Sequence, residues 1–212
     1  MKDRTENISG YDSFHTIRNS ETPAGGISLF VSNHINARKI ESLSYCNNTI
    51  EICTIELKIG DSNIAIVGIY RPHSDTISNF NSCFSQILDN NILKDKLCII
   101  MGDFNVCLFK DCEANLNFMN TFFVNHFSPL ITKATRFSPI DNEVPSLLDH
   151  IWINKIKPHV SGILNIDITD HLPTFTNLYF KNVNSNDRIK LQFRVINDEN
   201  KNKFKNLILK FN

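Results

Sequence analysis

Apolar residues fall into several short runs whose spacing is typical of β-strands. Residues 49–59 largely alternate with period two, and residues 64–70 are apolar at nearly every position, as in a strand covered on both faces. Residues 60–63 supply turn residues between them, so the two runs predict a β-hairpin. A change of phase near Ile52 and Cys53 predicts a β-bulge. The other predicted strands are 27–32, 97–101, 151–153, 162–166 and 174–180.

Two segments instead have the spacing of amphipathic helices. The first follows Asp75, a predicted N-cap, and repeats apolar residues from Ile77 to Leu88. The second runs from Leu116 to Phe127. Strands and helices are interspersed, which predicts an α+β domain over residues 1–181. Residues 182–212 are predicted to form a polar linker and an amphipathic helix that leads toward another module.

Composition and charge limit the possible functions. The chain has 212 residues, enough for one domain, and 42% of its side chains are hydrophobic. Lys plus Arg and Asp plus Glu both number 22, so there is no overall positive field, and any contact with nucleic acid must be local. No stretch is apolar enough for a signal peptide or a membrane span, which predicts an intracellular protein with no membrane partner.

Three polar clusters each lie beside a predicted strand. They are Gly102–Asn105, Ser146–His150 and Thr169–His171. Their carboxylates, amide and imidazole are the groups that metal-dependent hydrolysis of a phosphodiester requires, as cation ligands, as a general base and as donors to developing negative charge. Each cluster also has a purely structural interpretation, because Gly-Asp-x-Asn is a common turn sequence and Asp170 with His171 is consistent with a capping pair.

Four motifs occur along the chain in this order: Gly68-Ile69-Tyr70-Arg71-Pro72, Met101-Gly102-Asp103-Phe104-Asn105, Ser146-Leu147-Leu148-Asp149-His150-Ile151-Trp152 and Thr169-Asp170-His171. Together they resemble the endonuclease/exonuclease/phosphatase superfamily and, more narrowly, the apurinic-endonuclease-like domain of non-LTR, LINE-type retrotransposons. Gly10-Tyr11 and Gly25 to Val31 match further features of that group, so the resemblance spans roughly residues 8–180. It implies a four-layer α/β-sandwich, in which two packed β-sheets are flanked by helices.

The resemblance also implies roles in catalysis. Asp103 would orient or deprotonate the attacking water, and Asn105 would hold the scissile phosphate. Asp170, with Asp103 nearby, would bind Mg²⁺ or Mn²⁺. His171 would contact the phosphate, and Asp149 would pair with it, fix its tautomer and favour its charged form.

Three further residues are implied around this centre. The hydroxyl of Tyr70 would lie near the phosphate or the leaving group. Arg71 and Arg136 would contact the nucleic acid, although the place of Arg71 beside Pro72 is equally consistent with a structural role. The resemblance thus predicts an endonuclease that nicks DNA in the nucleus and is joined to a reverse transcriptase module in one polyprotein.

The sequence also departs from the family pattern. Members have two strands before the Gly-Tyr segment, which supply an Asn and a Glu that is a principal metal ligand, and the sequence given does not contain them. We therefore expect a sandwich that lacks its first strands and an impaired metal site. Two alternatives stay open: an inactive remnant that binds nucleic acid weakly, and a phosphatase of the superfamily that acts on another phosphoester.

Overall fold

The structure is a computed structural model that describes residues 8–18, 25–137, 144–166 and 169–180. The linker and helix predicted over 182–212 lie outside the described residues. The α-helices of the described part are α1 (Ile77–Leu88), α2 (Asn91–Lys94) and α3 (Glu113–Phe123). Its strands are β1 (Tyr11–Thr16), β2 (Ile27–Ser32), β3 (Asn36–Lys39), β4 (Tyr45–Cys46), β5 (Glu51–Ile59), β6 (Ser62–Tyr70), β7 (Leu97–Asp103), β8 (Ser128–Pro129), β9 (Asp149–Ile153), β10 (His159–Ile163) and β11 (Thr174–Leu178).

A seven-stranded sheet forms the centre of the described chain. Its strands lie in the order β3-β5-β6-β7-β9-β8, and β4 pairs with β5 beside β3. β6 and β7 are parallel, whereas every other pair in this sheet is antiparallel. A parallel pair needs a crossover, and the segment with α1 and α2 supplies it. The predicted strands of this sheet are therefore present, joined by three short strands that the pattern did not predict.

β5 and β6 form the predicted hairpin in the middle of this sheet. Their register is continuous over all nine residues of each strand. The bulge predicted near Ile52 and Cys53 is therefore wrong. The change of phase has another cause, because β5 is buried on both faces from Glu51 to Glu56 and accommodates apolar side chains at consecutive positions.

Both predicted helices are present, with one correction at the start of α1. Its N-cap is Thr76 rather than the predicted Asp75, because the Thr76 side chain accepts a hydrogen bond from the backbone N–H of Asn79. Asp75 instead accepts hydrogen bonds from the backbone N–H of Thr76 and the side-chain amide of Asn79. The second helix begins at Glu113 and ends at Phe123, earlier at both ends than its apolar spacing indicates.

The helices cover one face of the large sheet and build an aromatic core there. Phe122 of α3 stacks on Trp152 of β9, with ring centroids 4.0 Å apart. Phe104, just past β7, stacks on the His150 ring at 4.8 Å, and both side chains are fully buried. Aromatic contacts of this kind add to the free energy gained from burial. This core therefore packs against the end of β7 and the start of β9 on the helix side of the sheet.

Two hairpins cover the opposite face. β1 pairs with β2 and packs on β5 and β6, while β10 pairs with β11 and packs on β9. The side chains beneath are aliphatic, including Ile64, Ile99 and Ile151. The described residues thus form helix, sheet and hairpin layers, and the predicted class of an α/β-sandwich is confirmed. None of the described helices is both long and apolar enough to cross a membrane.

Candidate active site

Four polar side chains lie in one row across the sheet, at the end where β7 stops. Glu51 of β5 is opposite Tyr70, Tyr70 is opposite Asp103, and Asp103 is opposite Asp149. Paired residues of neighbouring strands project from the same face, so all four share the face opposite the helices. Three of them were predicted as site residues, and Glu51 was not.

The end of β7 has an unusual backbone. Gly102 has φ +147°, and a Cβ at this position would lie 1.8 Å from the carbonyl oxygen of Ile69, so the strands approach closely where only glycine fits. Three residues later, Asn105 has φ +50°. Its backbone N–H donates to Oδ1 of Asp103 at 2.9 Å. The predicted base and the predicted phosphate ligand are thus held together in one turn.

Arg71 stabilises this turn through hydrogen bonds to its backbone. It is only 5% exposed, and its guanidinium donates to the carbonyl oxygens of Phe104 at 2.7 Å and Asn105 at 2.8 Å. In return, the side-chain amide of Asn105 donates to the carbonyl oxygen of Arg71 at 2.9 Å. This geometry favours the structural interpretation of Arg71. Its predicted contact with nucleic acid stays a prediction.

Asp149 and His171 come from distant parts of the sequence and are in contact. Nδ1 of His171 lies 2.9 Å from Oδ2 of Asp149. Thr135, which is fully buried, joins the two segments: its hydroxyl accepts the N–H of Asp149 at 3.0 Å, and its carbonyl accepts the N–H of Leu172 at 2.6 Å. The carboxylate is therefore placed to fix the imidazole, as a pair of this kind does in catalysis. No feature of the sequence around Thr135 indicates this role.

Asp103, Asp149 and His171 lie close enough together to share one metal ion. Each offers one ligand atom, and these atoms all lie within 4.8 Å of one another. Two carboxylates suit Mg²⁺ or Mn²⁺, and an imidazole is compatible with Mn²⁺, so the donor set fits the predicted cation. A cavity of about 270 Å³ opens over the group and is also lined by Leu172 and Pro173. A larger cavity of about 450 Å³, beside Lys94 and Lys155, holds none of the predicted site residues.

The electrostatic state of Asp103 is consistent with such a site. Burial raises the pKa of its carboxyl, and the charge of Asp149 raises it further, whereas the N–H of Asn105 and the positive charges of His171 and His73 lower it. Burial has the largest effect. A carboxylate with a raised pKa is a stronger base, and a cation placed beside it would relieve the repulsion from Asp149.

Asp170 and Arg136 pair with each other at the rim. Nε of Arg136 donates to Oδ2 of Asp170 at 2.8 Å, and both side chains are about 40% exposed. This ion pair lowers the pKa of Asp170. Among the described residues, the three-residue metal group does not include Asp170. The predicted roles of Asp170 in metal binding and of Arg136 in nucleic-acid binding both stay predictions.

Two histidines near the centre were not predicted as site residues. His73 is exposed in the loop after β6, and its charge acts on Asp103. His150 is 1% exposed, and its Nε2 lies 3.1 Å from the carbonyl oxygen of Leu147. His73 could have been predicted from the sequence, because it directly follows the Arg71-Pro72 step that ends a strand. The place of His150 is revealed only by the packing of the structure.

The strand order of the large sheet and the layers on its two faces define a class of fold. No known family profile and no curated protein sequence matches the chain. Solved structures do match: an endonuclease/exonuclease/phosphatase family protein from Leptotrichia buccalis has a TM-score of 0.56 at 15% identity, covering 80% of this chain and 71% of that one. The chain has the fold of the endonuclease/exonuclease/phosphatase superfamily.

Within that class, the chain is similar to the endonuclease domain of TRAS1, a telomere-specific non-LTR retrotransposon. The TM-score is 0.70 at 12% identity, and the match covers 82% of this chain and 83% of that domain. Another match is D. rerio TDP2, in complex with a single-stranded DNA product, with a TM-score of 0.52 at 9% identity over 79% of this chain and 77% of that one. At these identities the likeness establishes the fold.

Proposed function

We propose that this chain hydrolyses a phosphodiester bond of nucleic acid with the help of Mg²⁺ or Mn²⁺. The observation that carries this proposal is the convergence of Asp103, Asp149 and His171 within 4.8 Å, at the end of the sheet. The three residues come from three separate motifs. Metal-dependent hydrolysis needs cation ligands and acid–base groups at such distances, and carboxylates and an imidazole provide both.

Each residue has a separate role in the proposed reaction. A bound cation would offset the charge of the phosphate and make water more acidic. Asp103, whose pKa is raised by burial, accepts the proton of the attacking water. His171, held by Asp149 at 2.9 Å, donates to the phosphate oxygen on which negative charge develops. The side-chain amide of Asn105 donates one N–H to the carbonyl oxygen of Arg71, and its second N–H would donate to the same phosphate.

We further propose that the substrate is DNA and that the chain is the endonuclease domain of a non-LTR retrotransposon polyprotein, acting in the nucleus beside a reverse transcriptase module. Two observations support this narrower proposal. The four motifs occur in the order found in that group, and the fold is similar to the TRAS1 endonuclease domain. A nick made in this way would leave a 3′-hydroxyl on the DNA.

The test is nicking of supercoiled plasmid in Mg²⁺ or Mn²⁺. Asp103→Asn and His171→Ala should each reduce nicking by at least about 100-fold, the range for loss of an acid–base group. Asp61→Asn is the matched control, because Asp61 is exposed in the β5–β6 turn at the opposite end of the sheet. It should nick as the parent does.

Other outcomes would select the alternatives. Metal-dependent nicking that survives both substitutions would reject this site. No nicking by folded protein that still binds DNA would favour the inactive remnant. Release of phosphate from a small phosphoester, sensitive to the same two substitutions and without nicking, would favour a phosphatase.

A further inference from the structure

Glu51 continues the row of site residues, yet the proposed reaction does not use it. It lies opposite Tyr70 on the neighbouring strand and is fully buried. Its carboxylate accepts the backbone N–H of Gly26 at 2.5 Å and forms an ion pair with the guanidinium of Arg18. A buried carboxylate needs such partners, because an unpaired charge in the interior is strongly destabilising.

This ion pair lies at the same end of the sheet as Asp103. Gly68 contacts Ile27 and Leu29, so the start of β2 lies over the end of β6. Arg18 follows β1, and the β1–β2 register places it at that same end. Neighbouring strands are about 5 Å apart, so Glu51 is about 10 Å from Asp103 across Tyr70. That span is about three nucleotides of rise along a strand.

Arg18 is placed to do more than neutralise Glu51. Its side chain stays 30% accessible, although its partner is fully buried. Its Nε is buried and has no hydrogen-bond partner among the described residues, so the accessible part of the side chain lies elsewhere. A guanidinium has five N–H donors in a fixed fork, more than one carboxylate uses, and this fork matches the oxygens of a phosphate. Gly25 packs against both groups and leaves little room for the pair to shift.

We propose that Arg18 contacts a backbone phosphate of the nucleic acid on the Tyr70 side of the scissile bond, and that Glu51 is the positioning residue that orients it. This inference rests on the proposed function. Because the chain has no net charge, affinity must come from a few local cations, and one held at the edge of the site contributes directly.

The test is binding of a short DNA duplex in EDTA, which prevents hydrolysis, measured by fluorescence anisotropy over a range of KCl concentrations. Arg18→Met should weaken binding about ten-fold at low salt. It should also reduce the salt slope by about 0.9, the value for one phosphate contact. Arg38→Met is the matched control, because Arg38 also pairs with a glutamate of β5, Glu56, but near the opposite end of that strand. It should bind as the parent does.

A second pair of variants separates contact from folding. Arg18→Met leaves Glu51 buried without its cation, so the double variant with Glu51→Gln removes both charges and should show the same reduced slope. Glu51→Gln alone keeps the cation and should keep the parent slope with a smaller loss of affinity. If the parent binds DNA and the folded double variant binds with an unchanged slope, the inference is wrong and the proposed function stands. A parent that does not bind DNA would overturn both.

Discussion

The two loops that assemble the candidate site are held in different ways. The turn at residues 103–105 is interior: Phe104 is fully buried and Arg71 ties the turn to the loop after β6. In the turn at residues 169–171, Thr169 and Asp170 are exposed, and the contacts include the Arg136–Asp170 pair and the hydroxyl of Thr169. Surface pairs contribute little to stability, whereas buried packing contributes much. We therefore expect changes that disturb the packing around the first turn to have the largest effects on stability, and changes in the second turn to affect mainly function.

The largest effect is expected at Gly102. Gly102→Ala places a Cβ 1.8 Å from the carbonyl oxygen of Ile69, so two paired strands must separate. The free energy of unfolding should fall by more than about 4 kcal/mol, or the protein should not fold. Gly60→Ala is the control, because Gly60 also has positive φ, +59°, but a Cβ there meets nothing within 4 Å. It should lose only about 1–2 kcal/mol. Urea unfolding measures both, and equal losses would contradict the close approach at Gly102.

The difference between the two turns also explains how much the sequence predicts. The interior strands were predictable because continuous apolar runs such as Leu97 to Met101 have few other interpretations. β3, which spans Asn36–Lys39, lies at an edge of the sheet and has a mostly polar pattern that no periodicity reveals. The polar residues at strand ends were predictable as a group. The burial of Arg71 and the link through Thr135 were not, because they depend on tertiary packing.

The next largest effect is a pH dependence of stability caused by His150, which stacks on Phe104 of the interior turn. Burial lowers the pKa of His150 from 6.5 to about 4. Between those values the unfolded chain binds a proton that the folded chain does not, so stability is unaffected above pH 6.5 and falls as the pH drops. The contribution is about 2 kcal/mol between pH 7 and pH 5.

The measurement is urea unfolding at both pH values for the parent and for His150→Gln. On acidification from pH 7 to pH 5, the variant should lose about 2 kcal/mol less stability than the parent. At pH 7 the variant should be less stable than the parent, because it loses the stacking on Phe104. His34→Gln, at an exposed position, should keep the parent pH dependence. A parent and His150→Gln with the same dependence would mean that His150 is protonated in the folded protein without cost.

A smaller effect of opposite sign is expected at Asp103. Burial and the charge of Asp149 raise the pKa of Asp103, so its ionised form costs stability at neutral pH. Asp103→Asn removes that charge and retains an oxygen to accept the N–H of Asn105. A gain of about 1 kcal/mol would raise the melting temperature by about 2–4 °C while nicking is lost. Mn²⁺ should raise the melting temperature of the parent more than that of the variant. A variant that melts below the parent without metal would contradict the repulsion.

The smallest effect on stability is expected in the exposed turn, where the structure and the family resemblance point to different partners for Asp170. Asp170→Asn and Arg136→Gln break the same surface ion pair, so each should change the melting temperature by less than about 3 °C. If Asp170 binds the metal, as the resemblance implies, Asp170→Asn should lower Mn²⁺ affinity at least about ten-fold, because a carboxylate near the cation is lost. Arg136→Gln should leave that affinity unchanged or raise it, since it removes a competing positive charge. Titration with Mn²⁺ separates the two roles: equal effects of both substitutions would show that Asp170 serves the pair with Arg136, and that the cation is held without it.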